Sequence, residues 1–115
     1  MDLTQEYALL GQVLQRGYEK VRVLEHLDTV EIEVRTGKLT RNSNPSLHFF
    51  FESPHFSGEL SFWGQSKTGE GGSYNKQADE VIDGFVFEIS ELDDIDPYFD
   101  RIINVYLEGE RPDCS

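Results

Sequence analysis

The spacing of hydrophobic residues changes twice along the chain, and this change most constrains the fold. Near the N-terminus Tyr7, Leu10 and Leu14 recur at helical spacing, which predicts an amphipathic helix from about Thr4 to Arg16. From Val30 to Arg35 apolar and polar residues alternate, as in a strand with one buried face. Helical spacing returns near the C-terminus. Helices at the two ends alone predict an antiparallel sheet between them, without crossover helices.

Glycines and turn residues define the predicted boundaries within this pattern. Gly17 is expected to end the first helix, and the alternation in Lys20–Val23 predicts a short strand. Gly64–Ser73, with three glycines near its end, is expected to be a flexible loop. Asp83-Gly84 predicts a two-residue hairpin turn. Further strands are predicted at 47–52, 58–63, 74–82 and 85–89.

The C-terminal helix is predicted from its start signal and its apolar stripe. Asp96 is the expected N-cap and Pro97 the first helical residue. The apolar residues that follow lie at helical spacing: Phe99, Ile102, Ile103 and Tyr106. The prediction is therefore one α+β domain over residues 1–115, with an antiparallel sheet of five or six strands and a helix at each end.

The net charge of −12 restricts the partners of such a domain. It arises from 22 acidic and 10 basic residues in a chain of 115. Nucleic-acid binding needs clustered Lys and Arg that displace counterions, and anionic membranes repel acidic proteins. We therefore expect no direct nucleic-acid or membrane partner and instead a basic protein partner.

The acidic residues are concentrated in the second half of the chain. Residues 59–115 contain fourteen acids and four bases, and the nine acids between Asp79 and Asp100 are not interrupted by any Lys or Arg. This segment is a candidate surface for a basic partner, with Asp93, Asp94 and Asp96 as its best candidates. The alternative is a solvated surface that caps the last helix and keeps the protein in solution. The predicted contact residues are Asp79, Glu80, Asp83, Glu91, Asp93, Asp94 and Asp96, together with Trp63.

Trp63 enters this set because of its position in a predicted strand. If Leu60 and Phe62 face the core, Trp63 points to the opposite face of the sheet, and Phe50 does the same in the preceding strand. Exposed aromatic residues on one face would form a binding surface. The alternative is that one helix covers each face and both aromatic residues belong to the core.

No catalytic, metal or cofactor site is predicted. Gly64–Gly71 has the glycine spacing of a phosphate-binding loop, but Glu70 occupies the position of the required lysine. His48 and Glu52 share a strand face but lack a third ligand. A small hydrolase that uses two carboxyl groups remains an alternative.

Cysteine content and the N-terminal residues predict a cytoplasmic protein. The single Cys114 allows no intrachain disulfide. Residues 1–6 lack the basic start and apolar run of a signal peptide. The longest apolar runs are about four residues, whereas a membrane span needs about 20.

Three features together resemble small immunity proteins of bacterial polymorphic toxin systems, in particular the TriTu-like group. They are the run Gly58–Gly64, the run Glu80–Glu88 and the acidic C-terminal helix, and the resemblance covers roughly residues 47–108. The Gly-rich stretch Gly69–Ser73 departs from the compact turn expected there. The resemblance implies a cytosolic, non-enzymatic protein that neutralises one cognate toxin, often a basic nuclease. It transfers no functional residue, because immunity proteins bind through variable surfaces. A non-enzymatic adaptor subunit of a larger assembly is the main alternative.

Overall fold

Five antiparallel strands lie side by side in one sheet, in the order in which they occur in the sequence. In the computed structural model each strand pairs with the next one along the chain. The predicted α+β class, antiparallel sheet and terminal helices are thereby confirmed. The strands are β1 (Glu31–Thr36), β2 (Ser46–Glu52), β3 (Phe56–Trp63), β4 (Thr68–Asn75) and β5 (Glu80–Glu88).

The structure describes residues 3–37 and 45–109, with side chains from residue 8 onward in that part of the chain. The composition of Arg41–Ser46 also predicts a loop. Residues 41–44 of that loop and Cys114 lie outside the described residues. Tyr7 lies in the first helix, but its side chain is also outside the described part.

Both helices pack on the same face of the sheet. They are α1 (Leu3–Val21) and α2 (Asp96–Gly109). The Phe49 ring lies at the centre of this packing, with its centroid 5.1 Å from that of Phe99 and 6.3 Å from that of Phe62. The core residues of the strands are Leu47, Phe49, Phe51, Leu60, Phe62 and Phe87, and those of α2 are Phe99, Ile102, Ile103 and Tyr106. We call this side the helix face of the sheet and the opposite side the open face.

The first helix is longer than predicted. It continues through Gly17 to Val21 and is followed by a 3₁₀ turn, Arg22–Leu24. The prediction that Gly17 ends the helix is wrong, because this glycine is buried in the helix and provides space for the ring of Phe49. The predicted strand Lys20–Val23 is also wrong, since Val21 and Leu24 continue the buried stripe of the helix.

The Gly-rich segment is a strand and not the predicted flexible loop. The tight turn occupies only residues 64–67, and β4 begins at Thr68. Gly69 lies under the ring of Phe87, where a side chain would collide with that ring. Asp83-Gly84 is likewise not a turn, because it lies within β5 and pairs with Ser73 and Gly72. The hairpin turn is at residues 76–79.

The helical region before α2 also begins earlier than predicted. A 3₁₀ turn, Leu92–Ile95, leads directly into α2. Asp96 already has helical dihedral angles, φ −57° and ψ −47°, so it is not the N-cap. Glu91, in an extended conformation, occupies the cap position instead.

Candidate partner-binding site

The predicted acidic segment does not form one continuous surface. Asp79 lies in the hairpin turn and Glu80 is the first residue of β5, whereas Glu91 to Asp96 lie beyond the other end of this strand. The nine residues of β5, at about 3.3 Å each, place the two groups about 30 Å apart. The segment therefore contributes two separate patches, at opposite ends of β5.

Asp83 belongs to the helix face and pairs with α2. Its two carboxylate oxygens accept hydrogen bonds from Nε and Nη2 of Arg101, at 2.8 and 2.6 Å. The same guanidinium lies 4.7 Å from the ring centroid of Phe85. This bidentate, stacked pair connects β5 to α2, so Asp83 has a structural role in the fold.

Asp94 stabilises the backbone at the start of the 3₁₀ turn. Its carboxylate accepts hydrogen bonds from the backbone N–H groups of Ser90 and Glu91, both at 2.8 Å. These bonds favour the ionised form and lower the pKa of Asp94 below its ordinary value, the bond from Glu91 having the larger effect. The carboxylate of Asp94 is therefore already engaged within the chain, and the exposed side chain of Glu91 completes the capping box by accepting a hydrogen bond from the backbone N–H of Asp94.

Arg16 of α1 neutralises two of the remaining predicted residues. Its guanidinium donates to Asp93 at 3.1 Å and to Asp96 at 2.7 Å. The hydrogen bond to Asp93, followed by the attraction of Asp96, raises the pKa of Arg16 against the opposing effect of desolvation. Asp93 remains largely exposed, whereas Asp96 is half-buried. Of this pair, only Asp93 presents a freely accessible carboxylate.

At the opposite end of β5, Asp79 and Glu80 are exposed. Asp79 has a positive φ of 56° and accepts a hydrogen bond from the hydroxyl of Tyr74, which fixes the hairpin turn. Three predicted contact residues are thus exposed and accept no backbone hydrogen bond within the described chain, namely Asp79, Glu80 and Asp93, although Asp93 is paired with Arg16 and Asp79 is bonded to Tyr74.

Trp63 and Phe50 lie on the open face. They alternate with buried residues of β2 and β3, and neither α1 nor α2 packs over them. Their rings are half-buried by neighbours on the same face, and both contact His48, at 5.9 and 6.0 Å between centroids. The alternative in which a helix covers each face is therefore excluded for the described helices.

The open face also carries a row of carboxylates that sequence reasoning missed. By strand register they are Glu31, Glu33, Glu52, Glu59, Glu70 and Glu88. Within the described part of the chain, Glu33 pairs with Arg35 and Glu52 pairs with Lys76. Glu31, Glu70 and Glu88 have no ion-pair partner among the described residues. The alternation of apolar and acidic residues within each strand was the sequence signal for these carboxylates, but they are dispersed over five strands.

A groove of about 540 Å³ crosses the open face. Its floor is formed where Gly72 of β4 pairs with Gly84 of β5, because neither residue has a side chain. Its walls are the side chains of Phe50, Glu52, Glu59, Glu70, Tyr74 and Val81. The pairing of the two glycines across neighbouring strands depends on the register, which includes a bulge after Ser73.

His48 belongs to a hydrogen-bonded network beside this groove. Its ring nitrogens lie 3.0 Å from Oγ of Ser46 and 2.7 Å from Oγ of Ser61. Ser61 donates to Glu59 at 3.1 Å. The network holds the Glu59 carboxylate and the His48 ring in place on the open face.

The described residues contain no group of three or more His, Cys, Asp or Glu side chains placed to hold a metal ion. In the same part of the chain, neither helix combines the length and apolar character that crossing a membrane requires. No protein-family model matches the sequence, and no curated protein is significantly similar to it.

Proposed function

We propose that this protein is a cytoplasmic, non-enzymatic immunity protein that neutralises a basic toxin domain, such as a nuclease. The observation that carries the proposal is the open face, where six carboxylates and the rings of Phe50, Trp63 and Tyr74 are left uncovered by α1 and α2. A nuclease cleft attracts phosphates because it is positively charged. Carboxylates presented on a sheet face are therefore attracted to the same cleft.

The aromatic residues favour a contact surface over a purely solvated one. Carboxylates alone would be sufficient to keep the protein in solution. Phe50 and Trp63 add apolar contact area to the same face, and aromatic residues are the usual anchors of protein interfaces. The combination fits a partner that buries this face.

The predicted acidic segment has a divided role in this proposal. Asp83, Glu91, Asp94 and Asp96 are engaged in intramolecular contacts. Glu80 and Asp93 are exposed but lie outside the open face, because Glu80 alternates with Val81 of that face and Asp93 pairs with Arg16 of α1. We assign Asp79, which accepts a hydrogen bond from Tyr74 of the open face, to the rim of the interface, where charge accelerates association more than it increases affinity.

An adaptor subunit of a larger assembly would share these surface features. A hydrolase that uses two acids is a third alternative, and it would need two converging carboxyl groups, one with a strongly raised pKa. Cross-linking in cells that express the protein, followed by mass spectrometry, identifies what it binds. The captured protein is then produced separately and its activity is measured with and without this chain.

Immunity function predicts a single basic partner that binds one-to-one and loses its activity on binding. A multisubunit assembly whose activity is unchanged would establish the adaptor alternative and refute the proposal. Turnover of a substrate by this chain alone, abolished by replacing two neighbouring carboxylates with amides, would establish the hydrolase.

The kinetics of association test the open face directly. Replacing three of the open-face carboxylates that have no ion-pair partner in the described residues, Glu31→Gln, Glu70→Gln and Glu88→Gln, should slow association with the captured partner about 10-fold and flatten its salt dependence. The matched control is Glu19→Gln, Glu25→Gln and Glu108→Gln, which removes the same charge from exposed residues outside the open face. At physiological salt, charges more than about 8 Å from the interface are screened. Equal slowing in the two triple variants would show that only net charge matters.

A further inference from the structure

The groove on the open face is a gap in the layer of side chains that covers the rest of this face. Gly72 and Gly84 lie opposite each other in neighbouring strands, so two adjacent side chains are missing from the surface layer. The ring of Phe50 and that of Tyr74 line the groove above this floor. The resulting cavity of about 540 Å³ lies within the size range of sites that bind small groups.

The two glycines differ in what a side chain would meet. A Cβ at Gly72 would clash with the backbone carbonyl oxygen of Asp83. A Cβ at Gly84 would meet no heavy atom within 4 Å. Close packing therefore explains the absence of a side chain at Gly72, whereas at Gly84 the fold leaves open space that the groove occupies.

The charges around the groove select a cation. Glu52, Glu59 and Glu70 line it. Glu59 accepts a hydrogen bond from Ser61, and Glu70 has no ion-pair partner in the described residues. Carboxylates next to aromatic rings form the environment that a guanidinium group prefers, because it stacks on a ring and donates two parallel hydrogen bonds to a carboxylate.

The chain places two of its own arginines beside a carboxylate and an aromatic ring, and one of them makes the two parallel hydrogen bonds. Arg101 donates two hydrogen bonds to Asp83 while it lies over the ring of Phe85. Arg35 donates to Glu33 at 2.8 Å and lies 5.6 Å from the ring centroid of Phe50. Phe50, which also lines the groove, is thus already one of the rings that lie beside a guanidinium.

We propose that the groove binds an arginine side chain of the protein partner, held between the aromatic rings and the carboxylates of Glu59 and Glu70. This proposal rests on the proposed function, because it names the group on the partner that the open face recognises. A phosphate is repelled by the lining carboxylates. A second copy of this chain is disfavoured by its net charge of −12.

The experiment uses the full chain and two short peptides. Acetyl-Gly-Arg-Gly-amide carries the guanidinium, and the same peptide with citrulline replaces it by a neutral group of nearly the same shape. Titrations followed by amide NMR should show saturable shifts centred on Gly72 and Gly84 with the arginine peptide, with a Kd of roughly millimolar order. The citrulline peptide should bind about 10-fold more weakly or not at all.

Three variants separate the groove from the general negative charge. Gly84→Val, whose Cβ meets no heavy atom within 4 Å, should fill part of the groove and weaken the arginine peptide at least about 10-fold, while the sheet remains folded by circular dichroism. Glu70→Gln should weaken it about 3- to 10-fold. Glu88→Gln removes one charge from the open face outside the groove and should change binding less than about 2-fold.

The proposal is wrong if the arginine peptide binds Gly84→Val as tightly as the wild type, or if its amide NMR shifts are spread evenly over all acidic residues. Equal affinity for a lysine peptide would also overturn it, because a point charge needs neither ring stacking nor a bidentate contact. The two proposals fail separately. If the captured partner binds Gly84→Val as tightly as the wild type, the groove assignment is wrong and the immunity function stands. If the arginine peptide binds the groove but no partner loses activity, the immunity function is wrong and the groove stands.

Discussion

The two faces of the sheet are built from alternate residues of the same strands, yet aromatic and acidic side chains differ in burial and ion pairing between them. On the helix face, Phe49 and Phe62 are fully buried, and Asp83 is neutralised by Arg101. On the open face, Phe50 and Trp63 are only half-buried, and Glu70 has no cationic partner within the described residues. The difference indicates that the helix face contributes stability and the open face is available for binding.

Two neighbouring residues of β2 provide the strongest test of this division. Phe49→Ala should lower the free energy of unfolding by about 3–5 kcal/mol, because it leaves a cavity among the rings of the core. Phe50→Ala should lower it by only about 1 kcal/mol, since it removes contacts with His48 and Arg35 on a partly exposed face. Urea unfolding measures both. Equal losses would show that the open face is as tightly packed as the helix face.

Two glycines of α1 provide the next test. Gly17→Ala should destabilise the protein by about 1–3 kcal/mol, because the new methyl group would overlap the ring of Phe49. Gly11→Ala should stabilise it by about 0.5–1 kcal/mol, since its Cβ meets nothing within 4 Å and alanine is the better helix former. Thermal and urea unfolding of the pair give the comparison. A gain in stability for both variants would mean that α1 does not pack on Phe49 as described.

The smallest effect concerns the acids at the start of the 3₁₀ turn. The pKa of Asp94 is lowered in the folded protein, so its contribution to stability is present above the ordinary aspartate pKa of about 3.9 and is lost as the pH falls through the lower folded value. Asp94→Asn should therefore be less stable than the wild type at pH 6, and the difference should shrink below about pH 4. Urea unfolding of both proteins from pH 2.5 to 7 measures the difference. If the difference in stability between Asp94→Asn and the wild type is the same at every pH, the backbone contacts of Asp94 do not depend on its charge.

Local sequence patterns were sufficient to predict the elements whose hydrophobic periodicity is long or uninterrupted. The stripe from Phe99 to Tyr106 predicted α2, and the alternation from Val30 to Arg35 predicted β1. The prediction was wrong where a glycine was interpreted by its local preference alone. Gly17 and Gly69 are not there to form turns, because each provides space for an aromatic ring from a distant part of the chain.

The predicted partner-binding residues show the same limit. The density of acids from Asp79 to Asp100 was visible in the sequence, but it did not show that Arg16, Arg101 and Lys20 approach from the helices and pair with several of them. Conversely, the carboxylates of the open face are far apart in the sequence and are brought together only by strand register.

The sequence by itself determined the α+β class, the antiparallel sheet and the excess of negative charge, because periodicity and composition are local or additive properties. Only the tertiary structure decided that both helices cover one face, that Phe50 and Trp63 lie on the other, and that Gly72 meets Gly84. These depend on which strand pairs with which and at what register. A side chain's exposure is set by residues that pack against it from elsewhere in the chain, and no local pattern carries that information.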